Sequence, residues 1–289
     1  MKILIFTLVL SIGHFICFGQ SDESPFQVQA GVQLTSTPVL AVNNGDTSFN
    51  NSFVVAPILR LFHQKGFGVS YSPYVATQGS QPGIYMHTVT AGYEHYDGAI
   101  VNLDFAYTHF FFANNSSVPY SPLNNELYAY ISYKKLWLAP LLSTSVGFGN
   151  DKSGQMQSGL NVASGVTHDF EISNTKAFSA IEIAPALIAN AASNEFYSFL
   201  TTSKYVTHNK KYENSIQHKG RGRGGSTSTT TTTSTIANKS FAVQNLELNL
   251  YSSFQAHHVE IVPTGSLFFP FDQATPMSGY WQVKLAYDF

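Results

Sequence analysis

Only 11% of the 289 residues are Asp, Glu, Lys or Arg, and there is one cysteine, Cys17. Ordinary soluble domains carry about 25% charged residues, so this chain lacks the charge to keep a large surface in water. A single cysteine excludes an internal disulfide framework and a multi-cysteine metal site. Beyond the first residues no uninterrupted apolar run reaches the ~20 residues of a transmembrane helix. The formal net charge of -2 supplies no basic surface for a nucleic-acid partner. Aromatic residues, by contrast, are plentiful: 23 Phe and 16 Tyr.

The N-terminus reads as a secretory signal peptide. Lys2 precedes an apolar stretch from Ile3 to Leu10, continued by Ile12, Phe15 and Ile16, and small residues stand at Cys17 and Gly19 before the polar Gln20 to Ser24. A charged tip, short apolar core and small-x-small site predict removal of residues 1–19, with cleavage after Gly19 or Gln20. Lipoprotein processing is disfavoured because Ile16 occupies the place before Cys17 where a small residue is needed. Cleavage after Gly19 leaves the mature chain, 20–289, with no cysteine, and hence no thiolate chemistry.

The rest of the chain alternates with a period of two. At the C-terminus Trp281, Val283, Leu285, Tyr287 and Phe289 share one side, while Gln282, Lys284 and Asp288 take the other. Phe26, Val28, Ala30, Val32 and Leu34 begin the pattern, and 99–112 repeats it with Asn102, Asp104 and Thr108 on the polar side. Strands are expected at about 26–34, 50–62, 67–75, 84–95, 99–112, 124–133, 136–148, 155–168, 177–190, 241–255, 257–268 and 279–289. A poorly charged, exported chain without a membrane helix spans lipid by closing a sheet on itself, since only that or a helix satisfies every backbone hydrogen bond. The expected fold is all-β: one transmembrane antiparallel barrel of about twelve strands, closed by the C-terminal strand. A soluble sandwich is the competing reading, but it has no need of strands this long. Pro57, Pro73, Pro140, Pro185 and Pro263 fall inside these strands and lack the amide donor a ladder uses, which predicts bulges or misplaced boundaries.

Links alternate in length. Those at 63–66, 95–98, 134–135, 169–176 and 256–257 are short, and those at 36–50, 77–83, 113–123, 149–154, 191–240 and 269–278 are longer or more polar. Short periplasmic turns, long external loops and both termini in the periplasm are expected of an even-stranded outer-membrane barrel. The 191–240 loop is basic and Thr-rich. Lys210, Lys211, Lys219, Arg221 and Arg223 stand there, the last two in a Gly-Arg-Gly-Arg-Gly-Gly run. It reads as a flexible external tip, or as a surface that meets lipopolysaccharide or a surface glycan.

Strand parity places Arg60, Glu94, Asp104, Glu126, Glu182, Glu247 and Lys284 in the bore, with Asn102, Asn161, Gln244, Asn245, Asn249 and Gln282. These either brace the wall as a hydrogen-bonded network or line an acid-biased conduit that passes small polar or cationic solutes. The alternatives are a closed barrel acting in surface binding or in assembly and secretion, and an outer-membrane lipid hydrolase. For the hydrolase, the candidate neighbours are His109 with Ser116 or Ser117, Thr167-His168-Asp169, and Thr207-His208-Asn209, and none forms a known active-site motif. His257-His258, as adjacent strand residues, are expected on opposite faces, so no metal and no cofactor is implied.

The Phe-Gly-Gln at the end of the leader, the Gln- and Gly-rich mature start and the terminal Leu-Ala-Tyr-Asp-Phe resemble outer-membrane β-barrel proteins of the Bacteroidota type. The resemblance covers the chain as architecture and assigns no functional residue. It implies that Phe289 is the aromatic end read by the outer-membrane assembly machinery, which would then be a transient partner alongside outer-membrane lipids.

Overall fold

The computed structural model describes residues 25–43, 46–77, 83–95, 100–113, 123–150, 153–173, 175, 177–193, 241–271 and 277–289. Thirteen strands account for most of them: β1 (Phe26–Asn43), β2 (Asp46–His63), β3 (Phe67–Ala76), β4 (Gly83–His95), β5 (Val101–Phe112), β6 (Asn125–Tyr133), β7 (Ala139–Asn150), β8 (Met156–Thr167), β9 (Phe170–Ser173), β10 (Ala180–Ala192), β11 (Ala242–Ala256), β12 (Val259–Pro270) and β13 (Ser278–Asp288). Each pairs antiparallel with its neighbour, apart from the short β9, which shares an edge of β10 with β8. The sheet closes because β13 returns to β1, with Gln29 opposite Asp288 and Ser36 opposite Trp281, and the terminal Phe289 amide donates to the Val28 carbonyl at 3.0 Å. Closure removes the unpaired edges that lipid would not tolerate.

The wall is twelve strands thick in circumference, as the alternation predicts, and the thirteenth strand lies inside the predicted 169–176 connection. β8 covers Ala186–Ala192 of β10, and β9 covers Ala180–Ile183. Pro185 lies opposite the break between them. Lacking an N–H, it offers only its carbonyl, which accepts from the His168 amide at 3.2 Å and the Thr167 hydroxyl at 3.1 Å. The other prolines follow the same logic. The β2–β3 register skips Ala56 to Ile58, where Pro57 sits across from the Pro73 region, and the Ser72 hydroxyl donates to the Pro57 carbonyl at 2.6 Å. Pro263 falls where the β11–β12 register is interrupted between Tyr251 and Phe254. Pro140, the second residue of β7, stays in register opposite Val166. Ladder gaps therefore absorb four of the five prolines.

Two further expectations are corrected. The 36–50 link is not a loop, because β1 runs to Asn43 and β2 starts at Asp46 in one continuous register. Backbone pairing needs no apolar alternation once a hairpin is held in register, and the Asn44-Gly45 dipeptide between the strands is a hairpin signal the alternation hides. The two histidines at 257 and 258 are turn residues, not neighbours on one strand, and His257 has φ of 54°.

The outer face is apolar. Leu59 and Val69 are exposed, and Phe105, Leu127, Leu248 and Leu285 are exposed while their sequence neighbours on the other parity are buried. A soluble protein would bury that many large side chains, whereas a wall in contact with acyl chains presents them. At the short-turn end aromatic rings gather: Phe67 against Tyr93 with centroids 4.8 Å apart, Phe26 against His63 at 4.8 Å and Tyr287 against Phe289 at 4.9 Å. Rings with an apolar body and a polar edge favour the boundary between headgroups and acyl chains. The fold is a transmembrane antiparallel β-barrel. Residues 1–24, which include the expected leader, and residues 194–240, with Lys210, Lys211, Lys219, Arg221 and Arg223, lie outside the described residues.

Candidate functional site: the polar bore

Side chains of one parity point into the barrel, and all seven charged residues expected there are found there and buried: Arg60, Glu94, Asp104, Glu126, Glu182, Glu247 and Lys284. Glu260, not expected from sequence, lies between the outward Val259 and Ile261 and is buried like the other seven. The same alternation that located the others identifies it. Among the described residues the fully buried charge of the bore is thus six carboxylates and two cations, with the half-buried Asp288 at its short-turn end. Of the two adjacent candidates on β11, Asn245 is buried in the bore, and Gln244 sits at the rim with its amide donating to the Ala192 carbonyl at 3.3 Å.

The charged groups divide into two levels. Toward the short-turn end a chain of contacts crosses the wall. The Gln29 amide donates to Asp288 at 2.8 Å, Arg60 donates to the Gln29 carbonyl oxygen at 3.3 Å, and Arg60 lies 3.6 Å from Glu94. Arg60 is on β2 and Glu94 on β4. The guanidinium passes over β3 because Gly68 and Ser70 are the inward residues there, leaving a shallow path. Gly66, in the turn before β3, holds the Glu94 end: its φ is 95°, its carbonyl accepts from the Glu94 amide at 2.9 Å, and a Cβ there would come within 2.0 Å of the Glu94 carbonyl oxygen. Only glycine fits. A second ion pair joins Lys284 to Glu260 at 2.9 Å, with the Ser253 hydroxyl donating to the same carboxylate at 3.1 Å.

Toward the long-loop end neutral groups surround Glu247. The Asn190 amide donates to Glu247 at 3.4 Å and to Asn245 at 3.0 Å, the Ser266 hydroxyl donates to Glu247 at 2.8 Å, and the Asn249 amide donates to Ser266 at 2.6 Å. These partners come together because Asn190 is opposite Asn245 and Asn249 is opposite Ser266 across the β10–β11–β12 ladders. Asn190 and Ser266 were not expected from sequence, since a lone Asn or Ser in a strand carries no sign of which partner the register gives it.

Between that level and the loop mouth lies an apolar cluster of Val54, Ala56, Tyr74, Tyr85, Met86, Phe110, Leu123 and Phe268. Its members come from β2 to β5, from Leu123 just ahead of β6, and from β12, three strands around the wall from β2. A β-bulge builds it. The β3–β4 register slips between Tyr74 and Val75, so Tyr85 has no opposite residue and Tyr85 and Met86 both turn inward. Bulges re-aim side chains in this way. The bore is therefore lined by polar groups through most of its length and narrowed by rings at one end.

The hydrolase candidates are not assembled among the described residues. Thr167 faces the bore and its hydroxyl donates to Pro185, while the His168 ring bonds the Trp137 carbonyl. His109 bonds Asn125 at 2.7 Å on the outer face. Ser116, Ser117, Thr207, His208 and Asn209 lie outside the described residues. Among the described residues no three His, Cys, Asp or Glu side chains group as metal ligands.

No protein-family model matches the chain, and no curated protein matches it. Among solved structures it is similar to the NanC porin, with 9% identity over 90% of this chain and 98% of that one and a TM-score of 0.43. It is also similar to the KdgM porin, with 9% identity, 90% and 99% covered and a TM-score of 0.43. An outer-membrane channel from Pseudomonas putida F1 gives 11% identity, 93% and 97% covered and a TM-score of 0.48. At such identities these are likenesses of barrel architecture alone.

Proposed function

We propose that this chain is an outer-membrane conduit of the Bacteroidota type, passing small cationic or polar solutes, with its termini in the periplasm. The observation that carries the reading is the imbalance of buried charge: six carboxylates face the bore and two cations. Burying ions is costly unless each is paired and hydrogen-bonded, so a wall brace favours neutral or balanced groups. A path for cations favours excess acid. The eight buried charged side chains are all at or below 5% exposed, which supports a narrow path and small solutes.

The decisive experiment is conductance of the folded protein in planar bilayers, with reversal potentials under a salt gradient. Wild-type protein gives discrete cation-selective steps, and the Asp104→Asn, Glu247→Gln double variant shifts the reversal potential toward the anion. Selectivity that is the same in wild type and variant removes these two residues from the role. The same close burial, with rings reaching inward from β3 to β5 and from β12, favours a second reading, a closed barrel whose loops make the contacts. Silence from verified folded protein would select that reading.

A further inference from the structure

A second set of inward rings stands on the β6 side of the bore. Tyr128 and Tyr130 pack there in one buried cluster with Leu141 of β7, Ala163 of β8 and Ala186 and Ile188 of β10. The register lays out what stands beside them. Tyr128 is opposite Ser145, Ser145 opposite Asn161 and Asn161 opposite Ala192, while the next row runs Tyr130, Ser143, Ala163, Asn190. Between the β6 rings and β10 the inward wall is therefore made of Ser143, Ser145, Asn161 and Ala163. Small side chains set this stretch back, and the tyrosine rings stand at its margin.

Two side chains in the recess lack hydrogen bonds. Ser145 and Asn161 are both 0% exposed, and among the described residues Ser145 Oγ, Asn161 Oδ1 and Asn161 Nδ2 have no partner. The nearest amide of the next row is engaged elsewhere, since Asn190 donates to Asn245 and Glu247. A buried polar atom without a partner costs free energy, and here three of them stand on facing residues of neighbouring strands. A guest that supplies the missing bonds removes that cost.

The three atoms also specify the guest. Asn161 offers an N–H donor and a carbonyl acceptor, and the Ser145 hydroxyl serves as either. A cation only donates, so it leaves the amide N–H unmet. An anion only accepts, so it leaves the amide oxygen unmet and also meets the excess carboxylate of the bore. Hydroxyl groups do both, and two of them on adjacent carbons meet the two ends of one amide. Tyr128, at the head of the same row, offers an aromatic face to the C–H side of a ring.

We infer that the recess formed by Ser145 and Asn161 beside Tyr128 is a binding site for a small neutral cyclic polyol. This rests on the conduit reading and names one solute class for it. The polyol enters as Tyr128 turns aside, its hydroxyls take both ends of the Asn161 amide and the Ser145 hydroxyl, and its ring lies against the tyrosine.

Saturation-transfer NMR of the folded barrel in deuterated detergent tests the site, with myo-inositol and the diamine putrescine as probes. Wild type transfers saturation to myo-inositol. The Ser145→Ala, Asn161→Leu variant exchanges unpartnered buried polar groups for apolar ones, a change that folds tolerate, and it binds myo-inositol about tenfold more weakly with putrescine unaffected. Ser145→Ala alone, the smallest change, loses a smaller part. Absence of transfer to myo-inositol in wild type, unchanged transfer in the double variant, or an equal loss of putrescine there overturns the proposal. Reversal potentials on the same preparation judge the conduit separately. Cation-selective steps without inositol transfer overturn this site alone, whereas transfer that the double variant loses, from a barrel silent in bilayers, keeps the site and removes the conduit.

Discussion

Glu94 and Asp104 lie directly opposite each other on β4 and β5, both facing the bore and both buried. Two carboxylates in that arrangement repel. The Arg60 guanidinium, 3.6 Å from Glu94, reaches the pair from two strands away over the glycine and serine of β3. The residue that makes this acidic step tenable is therefore remote in sequence from both acids, and the bore depends on it.

Removing that cation leaves buried acid without its counter-ion. Arg60→Met is expected to destabilise the barrel by about 3 kcal/mol, the usual cost of breaking a buried pair from one side, read as a shift in urea unfolding in lipid vesicles. The double variant Arg60→Met, Glu94→Gln recovers part of the loss. A single variant as stable as wild type would show that the ion pair bears no weight.

The ring cluster stands at the loop end of the bore. Phe268→Ala opens a gap on the β12 side of Val54, Tyr74 and Phe110. Its expected outcome is larger single-channel conductance, because a dewetted constriction limits ion passage, at a stability cost of about 3 kcal/mol or more. Conductance at or below the wild-type level would place the limiting barrier elsewhere.

Deleting residues 209–236 tests the basic Thr-rich segment. External tips tolerate truncation where strands do not, so the variant is expected to assemble with an unchanged heat-shifted mobility on gels. Binding of the protein to lipopolysaccharide-coated or glycan-coated surfaces should fall if Lys210, Lys211, Lys219, Arg221 and Arg223 make contact there. Unchanged binding leaves the stretch as a spacer.

Parity alone found much of the molecule. The two-residue period follows from strand geometry, so each apolar residue beside a polar one reports which side of the wall it occupies. The wall of twelve strands, the outward leucines and the seven inward charges were legible on that basis, as was the place of the terminal strand. What parity omits is partnership. It assigned Glu247 to the bore, but not Asn190 and Ser266 around it, and it could not see that Gly68 and Ser70 clear a path for Arg60.

Where alternation breaks, the sequence is silent for a physical reason. Tyr85 and Met86 are consecutive residues that both turn inward, which requires a bulge, and a bulge is set by how β3 and β4 settle against each other rather than by either strand. Pro185 reads as a defect until β8 and β9 are seen to part opposite it. The sequence by itself determined the compartmental logic of this protein: little charge, no apolar run long enough for a membrane helix after residue 24, and a two-sided strand repeated to the last residue. Only the tertiary structure decided which groups meet. Ion pairs, the collar of Glu247 and the ring cluster join side chains of different strands, and their contacts exist only once closure and register have fixed every strand against its neighbours.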